Sequence, residues 1–462
     1  MQKMKNGKKV LSVCLSLAMA AGMLSTSAFA SWNVYGGSNN HNAVVTEAPT
    51  APDKSGLDSY IQLHCTGSGW DGVDNVPVLQ TVNGTTYAYV LYDGYGASGA
   101  LVAKIRCAEN GGSSIVWTTD PYGTEGTSLN AKSGFQLSTP YLDDKGTPDD
   151  ASDDTLYVGT ISQYDDYEGG EWLTGTGSKV MALTGLDQNK PTVTNVLTGI
   201  NGQINTPITT DGTYLYFGTW PGGSNAGKYY QVDVSTTSYT YKTFTPESYG
   251  FYWAGAVSDG TNVYFGSDNG LLYWRSIADF DTTGGVLDLT DVASDAGNVR
   301  STIMMDEDGL LYFTTQGGYL WCYETSANGA PTYQWHKKLG ATSTSTPTKV
   351  GDRIYVGYYS GFNAGGVQCV SADGSSVKTV VEGDGFPVQS SIVVMGDGTG
   401  TDYLYFNTNA QKGAGYCYSF DGTTGSKVWG TTGDTYALGG MAIDNGYAVF
   451  GNDYNHLYVV HD

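Results

Sequence analysis

Positive charge is scarce in this chain. Its 462 residues carry 22 Lys plus Arg against 45 Asp plus Glu, a formal net charge of −23. A surface of that sign repels the phosphates of nucleic acid and of anionic lipid, so neither is expected as a partner. Cysteine is also rare, at six, with no Cys-x-x-Cys and no adjacent pair. That excludes a disulfide-stapled framework and a cysteine zinc site. The five histidines, His41, His64, His336, His456 and His461, are scattered, and there is no His-Glu-x-x-His, no Gly-x-Ser-x-Gly and no phosphate-binding glycine loop opening a helix. The usual zinc-hydrolase, serine-hydrolase and nucleotide-binding signatures are therefore missing. No long segment places apolar residues at a spacing of about 3.6, which leaves an all-β chain.

One apolar run exists, Val10 to Leu24. Lys3, Lys5, Lys8 and Lys9 precede it and Ala28-Phe29-Ala30 follows, the pattern of a signal peptide over residues 1–30. The run is shorter than the ~20 residues of a membrane span, so no membrane insertion is expected. Cys14 sits too early, and behind too large a residue (Val13), for lipid attachment. Removing residues 1–30 takes away four lysines and no acid, moving the formal charge from −23 to −27. The mature protein is expected to be secreted or held at the cell surface, as a monomer. Its cysteines, Cys65, Cys107, Cys322, Cys369 and Cys417, form an odd set and are expected as buried free thiols. Cys322 and Cys369 do share one column of the repeat described next.

What the chain has in abundance is glycine (65) and tyrosine (36). Asp211 to Val234 reads as a hairpin: an Asp-Gly turn, the strand Tyr214 to Gly218, a Gly/Asn loop, and a second strand from Tyr229. The pattern recurs from Thr261, Gly309, Asp352 and Asp402, and more loosely around Asp154 and Tyr447. Its central residue is Tyr89, Tyr157, Tyr216, Tyr264, Tyr312, Tyr355, Tyr405 and Val449 in turn, spaced 43 to 68 residues apart. Short strands repeating at such a period predict a β-propeller of four-stranded blades. Innermost strands are expected to begin near Val76, Phe135, Gln203, Trp253, Val299, Ser345, Val388 and Leu438. The count is eight, or seven if the long first two units form one irregular blade. The C-terminal unit supplies only three strands, so Tyr60 to His64 should close the ring against Leu457 to Val460. Residues 31–56 are a polar lead-in expected to lie on the ring, and 57–462 form the propeller.

The unit is clearest over Asp402 to Trp429, ending Phe420-Asp421-Gly422-Thr423-Thr424-Gly425-Ser426-Lys427-Val428-Trp429. Over nearly the whole mature chain it resembles the PQQ-like (quinoprotein dehydrogenase-like) repeat. Trp32-x-x-Tyr35-Gly36-Gly37 with His41-Asn42 resembles the lead-in of secreted bacterial proteins of that kind. The resemblance implies a propeller whose blade-end tryptophans dock on the neighbouring blade. Here only Trp117, Trp335 and Trp429 stand at blade ends. An enzyme of this family would need a calcium, an aspartate base and usually a vicinal disulfide, and no Cys-Cys pair exists. PQQ is therefore not expected, and Arg300 is the one attractive basic residue near an inner strand. Calcium has two acidic loops open to it, 143–154 and 397–402, neither with EF-hand spacing. No cofactor is expected.

In such blades the loop after strand two and the loop entering the next blade emerge on one face. That face collects aromatics: Trp70, Tyr95, Trp172, Trp220, Tyr252, Trp253, Tyr358, Tyr359 and Phe362. Exposed rings among Asp, Asn and Gly suit sugar stacking or protein recognition. The expected function is thus a non-catalytic binding or scaffold module for an extracellular glycan or protein. The rival is an extracellular enzyme with its site at the channel mouth, quinone-dependent or carbohydrate-active.

Overall fold

The computed structural model describes residues 31–462 except 64–71, 94–99, 120–125, 127, 130–137, 161–163, 169–170, 175 and 328, with backbone alone for 164–168, 171–174 and 176. Cys65, Trp70, Tyr95, Phe135 and the signal segment therefore lie outside the described residues, as does His64.

Blade 4 shows how the repeat folds. Its strands Val257–Ser258, Asn262–Gly266, Leu271–Ser276 and Gly284–Asp288 pair antiparallel in chain order. Asp259 closes the first turn: its Oδ1 accepts the backbone N–H of Thr261 (2.8 Å) and Asn262 (2.7 Å), while Gly260 takes φ +84°. Asp259 Oδ2 accepts the hydroxyl of the fully buried Tyr264 at 2.7 Å. One acid thus shapes the turn and satisfies a buried phenol. The clasp recurs as Asp211 with Tyr216 (2.8 Å) and Asp306 with Tyr312 (3.2 Å). Tyr355 instead donates to Asp402 of the next blade at 2.6 Å. The Tyr405 hydroxyl is buried without such a partner.

Eight such four-stranded sheets form the propeller. The innermost strands are Val78–Val82, Tyr141–Asp143, Thr209–Thr210, Val257–Ser258, Met304–Met305, Thr348–Val350, Val393–Met395 and Ala442–Asp444. Where both are described, they begin two to six residues after the expected starts. The residues between pack apolar side chains between blades, which imitates a strand in sequence, but line the channel with at most isolated bridges such as Gln203 to Trp220. The tyrosine column is buried throughout. The second strands of blades 2, 3, 4 and 8 end in a glycine because the next blade's entry segment lies against it, and in blade 6 Gly357, within the strand, meets Val388 in the same way. A Cβ on Gly266 would stand 2.1 Å from Val299, and one on Gly451 would stand 2.3 Å from Val73 across the ring's closure.

Closure follows the expected route. Ile61 pairs with Leu457 and Gln62 with His456, completing blade 8 from the N-terminal side. Leu63 N–H donates to Asn455 O at 3.0 Å, and Tyr60 stacks on His456.

The lead-in departs from expectation: it lies in the channel rather than on the ring. Trp32 O accepts from Leu79 of blade 1, Asn33 O from Leu142 of blade 2, Asn40 O from Met305 of blade 5, and Ala43 O from Val394 of blade 7. Asn42 bonds both backbone groups of Lys349 in blade 6, and His41 reaches Ala256 O in blade 4. Val44–Val45 then runs parallel to Val394 and Met395. The physical reason is that innermost strands present unpaired backbone groups to the axis, and a polar, turn-rich segment satisfies them.

Two blade-end tryptophans dock on the neighbouring blade as the resemblance implies: Trp117 donates to Leu186 O of blade 2 and Trp335 packs against Gly374 of blade 6. Trp429 instead donates to Pro49 O of the lead-in. Cys322, Cys369 and Cys417 face Tyr312, Tyr355 and Tyr405 across their blades. All three, with Cys107, are buried free thiols, so no bond joins Cys322 to Cys369. Burial pushes Cys107, Cys322 and Cys417 up to about 12 and Cys369 up to about 11. No helix among the described residues is long and apolar enough to cross a membrane.

Candidate ligand-binding site

Above the lead-in the channel opens on the face where the second-to-third and blade-to-blade loops emerge. The segment Tyr249 to Trp253 enters blade 4 there and is pinned by its backbone. Tyr249 O accepts from Gly227, Gly250 O from Asp268, and Phe251 N–H donates to Thr219 O. Trp253 is thereby held at φ +57°, left-handed backbone that a bulky residue adopts at a cost of roughly 1–3 kcal/mol and only where its surroundings enforce it. Its half-buried ring lies at the mouth.

A braced stack lies beneath it. Trp220 meets Tyr252 edge-on at 5.1 Å, and Tyr252 lies 4.7 Å from Trp253. The Arg300 guanidinium covers the Tyr252 face at 4.4 Å. Arg300 is fixed in turn by two hydrogen bonds to Asp268, at 2.7 and 2.6 Å. Burial opposes the Arg300 charge, yet the Asp268 bonds more than offset it and hold the guanidinium above its ordinary pKa. Burial likewise raises the Asp268 carboxyl, countered by Arg300. The pair is best read as a strut that orients Tyr252, not as a source of stability.

Across the mouth stand Tyr359, Phe362, Gln389 and Asn409, around a cavity of about 230 Å³. Phe362 is 44% exposed and meets Tyr436 edge-on. Of the rings expected on this face, Tyr252, Trp253, Tyr359 and Phe362 share the mouth, with Trp220 behind Tyr252. Tyr358 does not: strand alternation turns it inward, buried, with its hydroxyl on Glu382 at 3.3 Å. Trp172 lies in a hairpin, Glu171–Thr174 with Tyr164–Glu168, inserted in blade 2; its side chain is outside what is described.

Below the mouth the channel narrows to a neck of about 60 Å³ lined by Asn75, Thr139, Asn205, Thr302, Thr344 and Ser390. Sequence reasoning missed these residues. For Asn75, Thr139 and Asn205 the signal was a polar-x-Pro step entering the blade, Asn75-Val76-Pro77, Ser138-Thr139-Pro140 and Asn205-Thr206-Pro207; Thr302, Thr344 and Ser390 lie outside such a step. Proline suits a channel-lining segment because its missing N–H needs no partner there.

The residues do not fit a quinone cofactor. PQQ carries carboxylates, whereas the mouth offers Asp74 and Asp453 beside a single guanidinium already neutralised by Asp268. Among the described residues no three His, Cys, Asp or Glu side chains converge as an ion cage. In the two acidic loops the carboxylates turn onto their own backbone: Asp144 accepts from Gly146, Asp150 from Ser152 and Asp397 from Thr399.

No protein-family model and no curated protein matches the chain. Solved structures do. BamB from Moraxella catarrhalis aligns over 88% of this chain and 99% of its own, at 13% identity and a TM-score of 0.51. A europium-containing methanol dehydrogenase aligns over 91% and 89%, at 12% and 0.54. The quinohemoprotein alcohol dehydrogenase from Comamonas testosteroni aligns over 91% and 76%, at 11% and 0.54. At such identities the likeness speaks for the fold alone, an eight-bladed β-propeller.

Proposed function

We propose that the exported chain is a non-catalytic binding module whose channel mouth takes a neutral saccharide outside the cell. The observation that carries this reading is Trp253, its ring offered to the mouth from strained backbone and braced from behind by Tyr252, Arg300 and Trp220. A ring face beside the amides of Gln389 and Asn409 suits a sugar, which stacks one face and hydrogen-bonds at its rim. The paired Asp268 is not available as a base.

A glycan array with the mature protein, followed by titration of the best binder, tests the reading. Trp253→Ala should cost about 2 kcal/mol, or about thirtyfold in affinity, as expected for a central aromatic anchor. Binding should change little with salt, since stacking and not charge drives it. Wild-type affinity in a folded Trp253→Ala variant would remove the mouth from consideration.

A further inference from the structure

The neck holds polar groups with nothing to bond. Asn205 is 2% exposed, and both its Nδ2 and its Oδ1 lack a partner among the described residues. Asn75 is 3% exposed; its Nδ2 donates to Leu91 O at 2.7 Å, while its Oδ1 is unmatched. The Ser390 hydroxyl is likewise buried without a partner. All three residues line the same neck, though they come from the entries to blades 1, 3 and 7. Leaving a buried amide or hydroxyl unbonded is costly, and such groups are normally satisfied. Three of them converging on one cavity therefore point to something that enters it.

We infer that the neck is a specificity subsite that reads a neutral arm carrying both a donor and an acceptor, an acetamido group, on the sugar ring held above it. This rests on the saccharide reading of the mouth. Size supports the division of labour. The neck, at about 60 Å³, exceeds several times the ~10–15 Å³ that one water needs, yet it is far smaller than the mouth at about 230 Å³. The ring stays above against Trp253 while an exocyclic arm descends. Chemistry supports the class. Asn205 offers one donor and one acceptor, complementary to the C=O and N–H of an acetamide, and Asn75 Oδ1 and the Ser390 hydroxyl add further sites. Asn75, Asn205 and Ser390 bear no charge; of the two charged groups that also line the neck, Arg300 is already paired with Asp268 and Asp74 is an acid, so an anionic arm would find no free counter-ion.

The test compares two β-1,4-linked trisaccharides, one of N-acetylglucosamine and one of glucose, titrated by NMR against wild type, Asn205→Leu, Ser390→Ala and Trp253→Ala. Wild type should prefer the acetylated sugar at least tenfold, because a site built to hydrogen-bond a group discriminates strongly against its absence. Asn205→Leu should lose that preference while its melting temperature holds or rises, since an unbonded buried amide gives way to an apolar side chain of similar size. Ser390→Ala, a change too small to threaten folding, should reduce the preference several-fold. Trp253→Ala should weaken both sugars alike. Equal binding of the two sugars by wild type, as water alone in the neck would produce, overturns the inference. So does an Asn205→Leu or Ser390→Ala variant that keeps the full preference, or a wild type that binds neither probe. Equal binding that Trp253→Ala abolishes would sink the neck alone and leave the mouth standing, whereas sugar binding that survives Trp253→Ala would sink the mouth.

Discussion

The Asp–Tyr clasp makes a prediction whose size follows from its geometry. Tyr264 is fully buried among Val257, Leu272, Leu311 and Phe313, and its hydroxyl donates to Asp259 at 2.7 Å. Tyr264→Ala removes the ring and leaves a cavity, which typically costs about 3–5 kcal/mol. Tyr264→Phe removes only a hydrogen bond to a carboxylate, worth about 1.5–3 kcal/mol when the partner is charged. Asp259 is half-buried and can turn to water, so the lower end, ~1.5 kcal/mol, is expected. Asp259→Ala should cost somewhat more, because it also frees the N–H groups of Thr261 and Asn262. Guanidinium unfolding of the four proteins in the Phe/Ala cycle, followed by circular dichroism, reads the coupling directly. It should be about 1 kcal/mol. A coupling below ~0.3 kcal/mol, or a Tyr264→Phe variant as stable as wild type, would show that turn and phenol are energetically independent and refute the clasp.

Three further outcomes are expected. At the seam, Leu63→Ala should cost about 2–5 kcal/mol, since Leu63 is fully buried where the N-terminal strand completes blade 8; unchanged unfolding would mean the closure adds nothing to stability. Cys107, Cys322, Cys369 and Cys417 should resist a thiol reagent at pH 8 until the protein unfolds, because burial both shields them and keeps them protonated; rapid labelling of the folded protein at any of them would contradict the packing. Burial pushes Asp154 and Asp444 up to about 6, above the ~3.9 of an unfolded chain. The fold therefore holds their protons more tightly, and the stability they contribute, complete below about pH 4, is lost as pH rises through 6. Asp154→Asn and Asp444→Asn should each flatten the decline in melting temperature between pH 4 and 7, and an unaltered profile would mean these acids do not titrate as described.

The blades were legible in sequence because their information is local. An Asp-Gly turn, a tyrosine five or six residues on and a glycine at the strand end are read within one hairpin, and repetition averages out divergence. That determined the all-β class, the buried tyrosine column and the strand that closes the ring, and it narrowed the count to eight or seven blades, which the structure resolves as eight. The aromatic face was legible in part, since loop parity follows from topology and assembled Trp220, Tyr252, Trp253, Tyr359 and Phe362. Parity says which end of a strand a residue occupies but not which way its side chain points, and so it misplaced Tyr358. What only the tertiary structure decided lies on the axis. The lead-in fills the channel because eight innermost strands leave backbone groups that no single blade can reveal. The neck draws Asn75, Asn205 and Ser390 from blades far apart in the chain, so their convergence exists only once the ring has closed.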